Sequence, residues 1–180
     1  LSGTSVVNAT GSAGNNLLTG NAGANTLTGA AGLDILQGGD GNDSLTDATD
    51  KGLYNGGIGA DSISGNSANE LFIGGAGNDT VTTGTGADLV AFNRGDGQDT
   101  VNASTGADNT VSLGGGIDYA SLFFRKNVND LVLDVGNSEQ ITFKDWYAST
   151  ANNKSVVTLQ MVAEAMAGFN PAGTDPMRNN

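Results

Sequence analysis

Gly38-Gly39-Asp40-Gly41-Asn42-Asp43-Ser44-Leu45-Thr46 is followed by Gly56-Gly57-Ile58-Gly59-Ala60-Asp61-Ser62-Ile63-Ser64 and then by Gly74-Gly75-Ala76-Gly77-Asn78-Asp79-Thr80-Val81-Thr82. Each stretch reads as a glycine-rich turn closed by an aspartate, then a short strand with one apolar side chain pointing inward. Extended both ways, the nine-residue frame runs without a slip from Gly11 to Ala91. Its eighth position is Leu18, Leu27, Leu36, Leu45, Tyr54, Ile63, Phe72, Val81 and Val90, apolar in every repeat. Only 37% of the chain is hydrophobic, so this run reflects a structural requirement and not composition.

One such strand buries too little apolar area to offset its ordering entropy, whereas stacked coils share a continuous core. Two repeats make one coil, which predicts an all-β parallel solenoid. After Ala91 the register shifts by two through RGDGQDTVN at 94–102, and a poorer copy, TGADNTVSL, runs to Leu113, where the solenoid is expected to end.

Composition narrows the function. With 29 glycines and two prolines in 180 residues, the chain does not read as a helical globule. Nineteen acidic against seven basic residues give a net charge of −12, which repels nucleic acid and anionic membranes and favours a cation partner. The absence of Cys excludes disulfide and thiol chemistry, and the absence of His removes the usual general base and the commonest zinc ligand. No stretch of 18 apolar residues occurs, so membrane insertion is not expected. Leu1–Thr10 lacks the basic end and apolar run of a cleaved signal, so export would need another route.

In the three full repeats, glycine permits positive φ and close approach of backbone carbonyls, while Asp43, Asp61 and Asp79 supply carboxylates. Hard oxygen donors without nitrogen or sulfur suit Ca²⁺, which accepts six to eight oxygens in flexible geometry. The competing reading, that glycine and aspartate merely make tight turns, leaves stacked carboxylates repelling one another along one edge.

The pattern G-G-x-G-x-D-x-U-x, with U an apolar residue, resembles the haemolysin-type calcium-binding repeat of the repeats-in-toxin (RTX) family over roughly Gly11–Leu113. The resemblance implies a right-handed parallel β-roll of 18 residues per coil that binds several Ca²⁺ ions. It further implies an ion between two turns on the same edge, one coil apart. Carried over, the carbonyls of Gly38, Asp40 and Asn42 pair with Gly57, Gly59 and Asp61, and those of Gly56, Ile58 and Ala60 pair with Gly75, Gly77 and Asp79. Asp43, Gly74, Ala76, Asn78, Gly95, Gly97 and Asp99 continue this set, and Asp34 and Asp88 close further candidate sites.

Alternate repeats share an edge. Turns beginning at 20, 38, 56 and 74 lie on one side and carry all three full motifs; those at 11, 29, 47, 65 and 83 lie on the other. On this second edge, Asp47–Gly52 and Gly65–Glu70 break the motif, so a gap in the ion column is expected there. The seventh position should face outward. It forms an apolar column of Leu17, Ile35, Leu53, Leu71 and Leu89 on one sheet, and a column of Thr26, Ser44, Ser62 and Thr80 on the other. The apolar column is expected to meet a cap, a protein partner or a second copy, against the plainer reading of scattered surface leucines. The threonine column admits ice binding as a remote option, although threonine simply suits exposed strands.

From Gly114 the composition changes. SLFFRK, DLVLDV and QITFKDW alternate apolar and polar residues and predict two or three antiparallel strands that cover the open end of the coil, with a turn at Asn127–Asp130. Asp130–Leu133 with Ile141, Phe143 and Trp146 resembles the haemolysin-type calcium-binding-related domain that follows such repeats. Trp146 and Tyr147 are expected to anchor this cap more than to form a ligand platform. Leu159, Val162, Ala163 and Met166 fall at helical spacing and predict a C-terminal helix over Val156–Ala167, stopped near Gly168 and Pro171. The expected organisation is a leading strand or cap at 1–10, the β-roll at 11–113, the cap with its helix at 114–168 and a disordered tail at 169–180.

The reading that follows is a calcium-triggered folding module of a secreted, extracellular or cell-surface bacterial protein. Passage through a type I secretion apparatus is implied by the resemblance alone. The alternative is an adhesin or polysaccharide-binding module of a larger surface protein. Paired carboxylates also serve glycoside hydrolysis, but every conspicuous Asp here is explained by its repeat position, so no enzyme is expected.

Overall fold

The computed structural model describes residues 3–102, 104, 109–114, 116–148 and 156–161. In chain order the strands are β1 (Ala9–Thr10), β2 (Leu17–Thr19), β3 (Thr26–Thr28), β4 (Asp34–Asp40), β5 (Ser44–Thr46), β6 (Gly52–Ile58), β7 (Ser62–Ser64) and β8 (Leu71–Ala76). They continue with β9 (Thr80–Thr82), β10 (Leu89–Asn93), β11 (Gln98–Val101), β12 (Asn109–Gly114), β13 (Phe123–Asn127), β14 (Asp130–Gly136), β15 (Glu139–Phe143) and β16 (Val156–Met161).

Successive strands of the solenoid alternate between two sheets. One has the order β1-β3-β5-β7-β9-β11-β15-β14-β13, the other β16-β12-β10-β8-β6-β4-β2. Pairing within the solenoid is parallel, with partners one coil apart: Leu27 lies beside Leu45, Leu36 beside Tyr54, and Tyr54 beside Phe72. The period lengthens near the end, where Val81 pairs with Val101 and Val90 with Val111. Two extra residues in one coil and three in the next therefore preserve the inward apolar position while moving it out of the nine-residue frame.

The core is the column that the eighth position supplies. Leu27, Leu36, Leu45, Tyr54, Ile63 and Phe72 are fully buried, joined by Val81, Val90, Val101 and Val111. Strand period two sends the seventh position outward: Leu17 is 64% exposed, and Ile35, Leu53, Leu71 and Leu89 are half-buried.

The coil's end is closed as expected on one sheet and differently on the other. Strand β15 adds parallel to β11, pairing Thr142 with Thr100, and β14 and β13 follow antiparallel. Trp146 packs on Phe143, with ring centroids 5.9 Å apart, and joins the core margin. Tyr147 stays partly exposed beneath the Lys126 ammonium, 4.7 Å from its ring centroid. The helix expected from Val156 is a correction: Val156–Met161 is a strand that pairs parallel with β12. Its sequence, VVTLQM, begins with β-branched residues, and Thr158, Leu159, Gln160 and Met161 alternate between exposed and half-buried, so the open edge of β12 captures it. Val162, Ala163, Met166, Gly168, Pro171 and the expected tail lie outside the described residues.

The cap is fastened by charge. Arg94 reaches Glu139 Oε2 at 2.6 Å and the Gly136 carbonyl at 3.2 Å, while Glu139 Oε1 accepts from the Gly95 amide. Lys144 pairs with Asp130 at 2.7 Å and Arg125 with Asp134 at 2.8 Å.

Inward and outward positions should differ sharply in energy. Ile63→Ala is expected to lose about 2–5 kcal/mol through its cavity, whereas Leu17→Ala should stay within roughly 0.5 kcal/mol. Denaturant unfolding in saturating calcium measures both; equal losses would contradict the assignment of faces.

Candidate metal centre

The turns stack as a second ladder beside the strands. Gly39 pairs with Gly57 and Gly57 with Gly75, so the glycine-rich segments run in register from coil to coil. This approach requires glycine: Gly57 has φ of +110°, and a β-carbon there would collide with the Gly39 carbonyl. Within each full motif the third and fifth residues, Asp40, Asn42, Ile58, Ala60, Ala76 and Asn78, are exposed, although Asn42 Oδ1 accepts from the Ala60 amide at 2.9 Å and Asn78 Oδ1 from the Gln98 amide at 3.0 Å in the next turn. Some of their backbone carbonyls already accept a ladder hydrogen bond, Ile58 from the Gly41 amide at 2.7 Å and Ala76 from the Gly59 amide at 2.8 Å.

The sixth position is where charge is buried. Asp43, Asp61, Asp79 and Asp99 are at most 6% exposed. Each carboxylate reaches back one coil through Oδ1. Asp43 accepts from the Asn25 amide at 2.7 Å, Asp61 from Asp43 at 2.7 Å, Asp79 from Asp61 at 2.8 Å, and Asp99 from Asp79 at 3.0 Å. The second edge repeats the device: Asp34 accepts from the Asn16 amide at 2.7 Å and Asp88 from the Glu70 amide at 2.9 Å.

The other carboxylate oxygen has no such partner. Asp34 Oδ2, Asp43 Oδ2, Asp61 Oδ2, Asp79 Oδ2, Asp88 Oδ2 and Glu70 Oε2 are buried without a hydrogen bond. A buried charged acceptor left unpaired costs more than the roughly 1–3 kcal/mol of a neutral one. These oxygens also converge with others. A β-carbon on Gly38 would collide with both Asp43 Oδ2 and the Gly56 carbonyl, and one on Gly56 would meet Asp61 Oδ2 and the Gly74 carbonyl. Among the described residues no three carboxylates gather at one point. An ion held here would take most of its oxygens from the backbone, a donor set that suits a hard cation such as Ca²⁺.

The expected groupings are largely brought together. Asp61 stands between the turns of 38–43 and 56–61, and Asp79 between those of 56–61 and 74–79. Gly97 bridges to Gly77, bringing Asp99 over the turn that contains Gly74, Ala76 and Asn78. Gly95 instead turns its amide to Glu139 of the cap.

Four participants escape the motif. Asp96 is 8% exposed and accepts from the Asn93 amide at 2.7 Å. Glu70 stands at the sixth position with its Oε1 folded back on the Asn66 amide at 3.3 Å. Asp47 accepts from Ala48 at 2.7 Å and from the Tyr54 hydroxyl at 3.3 Å. Asn109 takes over from aspartate in the last coil, accepting from the Asp88 amide at 2.8 Å while its own amide donates to Thr83 Oγ1 at 3.0 Å. A neutral amide thus ends this column without a stranded oxygen. The seven-residue spacing of Asp47 and Tyr54 and the acidic side chain of Glu70 were the signals available for two of these.

Burial raises these carboxyls above their usual range, assisted by neighbouring carboxylates. Asp61 is pushed to about 6, Asp79 to about 7 and Asp99 to about 8 by burial first, then by the adjacent aspartates. Burial likewise raises Asp43 and Asp88, brings Asp96 to about 6, and with Asp88 nearby brings Glu70 to about 8.

A family model, the RTX calcium-binding nonapeptide repeat in four copies, matches residues 10–45, 55–90 and 64–98. Repeats of this family bind Ca²⁺ at multiple sites and typically occur in secreted proteins. No curated protein matches the chain. Among the described residues, no helix is long and apolar enough to cross a membrane.

The direction of these shifts fixes a pH dependence. Folded carboxyls near 6 to 8, against about 4 in the unfolded chain, bind protons on folding, so without metal the coil is most stable at low pH. That stability is lost as pH rises through 6 to 8. Metal binding must displace these protons, so calcium titration near pH 6.5 should release protons and weaken further as pH falls. Calorimetry in buffers of different ionisation enthalpy measures the release; none at pH 6.5 would contradict the burial of these groups.

Proposed function

From the premise that this chain is an RTX calcium-binding repeat protein of the haemolysin type, we propose that its 11–113 segment is a module whose folding is triggered by calcium at the stacked turns. The supporting observation is the set of buried carboxylate oxygens without partners on both edges. The proposed ligands on the first edge are the carboxylates of Asp43, Asp61, Asp79 and Asp99. They act with backbone oxygens of Gly38, Asp40, Asn42, Gly56, Gly57, Ile58, Gly59, Ala60, Gly74, Gly75, Ala76, Gly77, Asn78 and Gly97. Asp34 and Asp88 serve the second edge. Gly95 belongs to this set through its backbone carbonyl, its amide being bonded to Glu139 of the cap.

Calcium supplies positive charge and a high coordination number that link carbonyls of one coil to carboxylates of the next. The chain does the rest. Glycine brings backbone oxygens together, Oδ1 of each aspartate fixes the carboxylate on the preceding coil, and burial holds Oδ2 ready. Without a cation, the acidic turns repel and the chain stays extended. With millimolar external calcium, ligand binding becomes folding free energy. This behaviour suits export through a type I secretion apparatus and use outside the cell or at its surface, and the outward apolar column from Leu17 to Leu89 is the proposed contact for a neighbouring segment, a partner or a second copy. The 114–168 segment acts as the cap.

Circular dichroism at pH 7.5 should report a largely unordered chain in chelator and a β-rich one in millimolar calcium. Asp61→Asn combined with Asp79→Asn should raise the calcium midpoint at least about tenfold, the scale of losing roughly 1.4 kcal/mol. An unchanged β spectrum after chelation would exclude the proposal.

A further inference from the structure

We propose that Asp34 and Asp47 form a further hard-cation site on the second edge, at the turn where the repeat motif is broken. It rests on the reading of the intact turns as calcium sites and extends it to residues 46–54, which lie between the segments that match the repeat family.

Over most first-position glycines, two oxygens converge: one from the sixth residue of the same turn and one from the backbone of the next coil. The second oxygen is the Gly56 carbonyl over Gly38 and the Gly74 carbonyl over Gly56. Over Gly29 it is a carboxylate. A β-carbon there would stand 2.5 Å from Asp34 Oδ2 and 2.8 Å from Asp47 Oδ1. Asp47 occupies the first position of its own repeat, where most other repeats carry glycine, and the sixth position of that repeat is Gly52, where the others carry an acid or an amide.

The two carboxylates are buried, Asp34 at 0% and Asp47 at 8% exposure, and Asp34 Oδ2 has no partner. No cationic side chain answers them: among the described residues, the ion pairs are Arg94–Glu139, Arg125–Asp134 and Lys144–Asp130. The remaining oxygens are held by neutral donors, Asp34 Oδ1 by the Asn16 amide, Asp47 Oδ2 by the Tyr54 hydroxyl and Asp47 Oδ1 by the Ala48 amide at 2.7 Å. Tyr54 is matched to this arrangement. It takes the core position that other repeats fill with hydrocarbon, and a β-carbon on Gly52 would collide with its hydroxyl and ring. Asp47, Gly52 and Tyr54 therefore form one substituted set: the aspartate moves from the sixth position to the first, glycine clears the space, and tyrosine orients the carboxylate. Two carboxylates, oxygen donors without nitrogen or sulfur, suit a hard divalent or trivalent ion. The gap expected on this edge is then bridged at its first broken turn.

Terbium(III) alone tests this, because Tyr54 is the antenna beside the site. The number of ions bound is measured by native mass spectrometry, and emission by excitation of tyrosine. The unsubstituted 180-residue chain should show tyrosine-excited emission that Tyr54→Phe removes. Asp47→Asn, and Asp47→Gly with the residue that most other repeats carry there, should each bind one ion fewer and lose that emission. If both Asp47 variants fold and keep the full count and emission, the proposal is overturned while the calcium reading stands; if the unsubstituted chain binds no ions, the calcium reading falls. Should the Asp47 variants fail to fold, emission equal in Tyr54→Phe and the unsubstituted chain overturns the proposal.

Discussion

The structure depends on how like charges are tolerated when they are stacked at strand spacing inside a turn. Asp43, Asp61, Asp79 and Asp99 follow one another along one edge, each bonded to the backbone of the coil before it. Neighbouring strands lie about 4.8 Å apart, and at an effective dielectric of about 20 two unit charges at that distance repel by roughly 3 to 4 kcal/mol. Three such contacts approach the whole stability of a small domain, about 5–15 kcal/mol. The column therefore exists either protonated or with cations between its members. Burial and mutual repulsion raise these carboxyls, which expresses the same cost in protons.

The rest of the fold accommodates this constraint. Each repeat contributes one buried side chain to the core, so each coil supplies two, one from either sheet, from Leu27 through Phe72 to Val111. Such a core does not by itself outweigh the ordering of a glycine-rich chain. The ends are treated differently from the middle. At the last first-edge turn Arg94 brings its own positive charge to Glu139 and the Gly136 carbonyl. On the second edge Asn109 replaces a carboxylate with an amide. The amide ends the second-edge column without a bare charge at its tip, whereas on the first edge Asp99 closes the column and Arg94 fastens the cap.

The wound architecture was legible because the apolar residue recurs at a fixed period, and the pairing of Leu36 with Tyr54 and Tyr54 with Phe72 follows directly from it. The turn aspartates were legible for the same reason. What the repeat could not disclose is which oxygen of each carboxylate is engaged, since Oδ1 meets the backbone of another coil. Asn109 was hidden by the longer last coil, which moves it out of frame. Asp96 stands in a position that elsewhere faces solvent, as Asp40 does. Asp47 and Glu70 sit where the motif fails, and a reading by motif sees only the failure. The VVTLQM segment reads as helix because Leu159, Val162, Ala163 and Met166 fit a helical period, while Leu159 and Met161 also fit a strand one, and the edge of β12 decides between them.

The most direct measurement is amide hydrogen exchange at Asn25, Asp43, Asp61 and Asp79, whose N–H groups point at the carboxylates of the following coil. At neutral pH these four amides should exchange as in an unfolded chain when metal is removed, and become protected together when calcium is restored. Equal, strong protection of all four in the absence of any divalent ion would contradict the account.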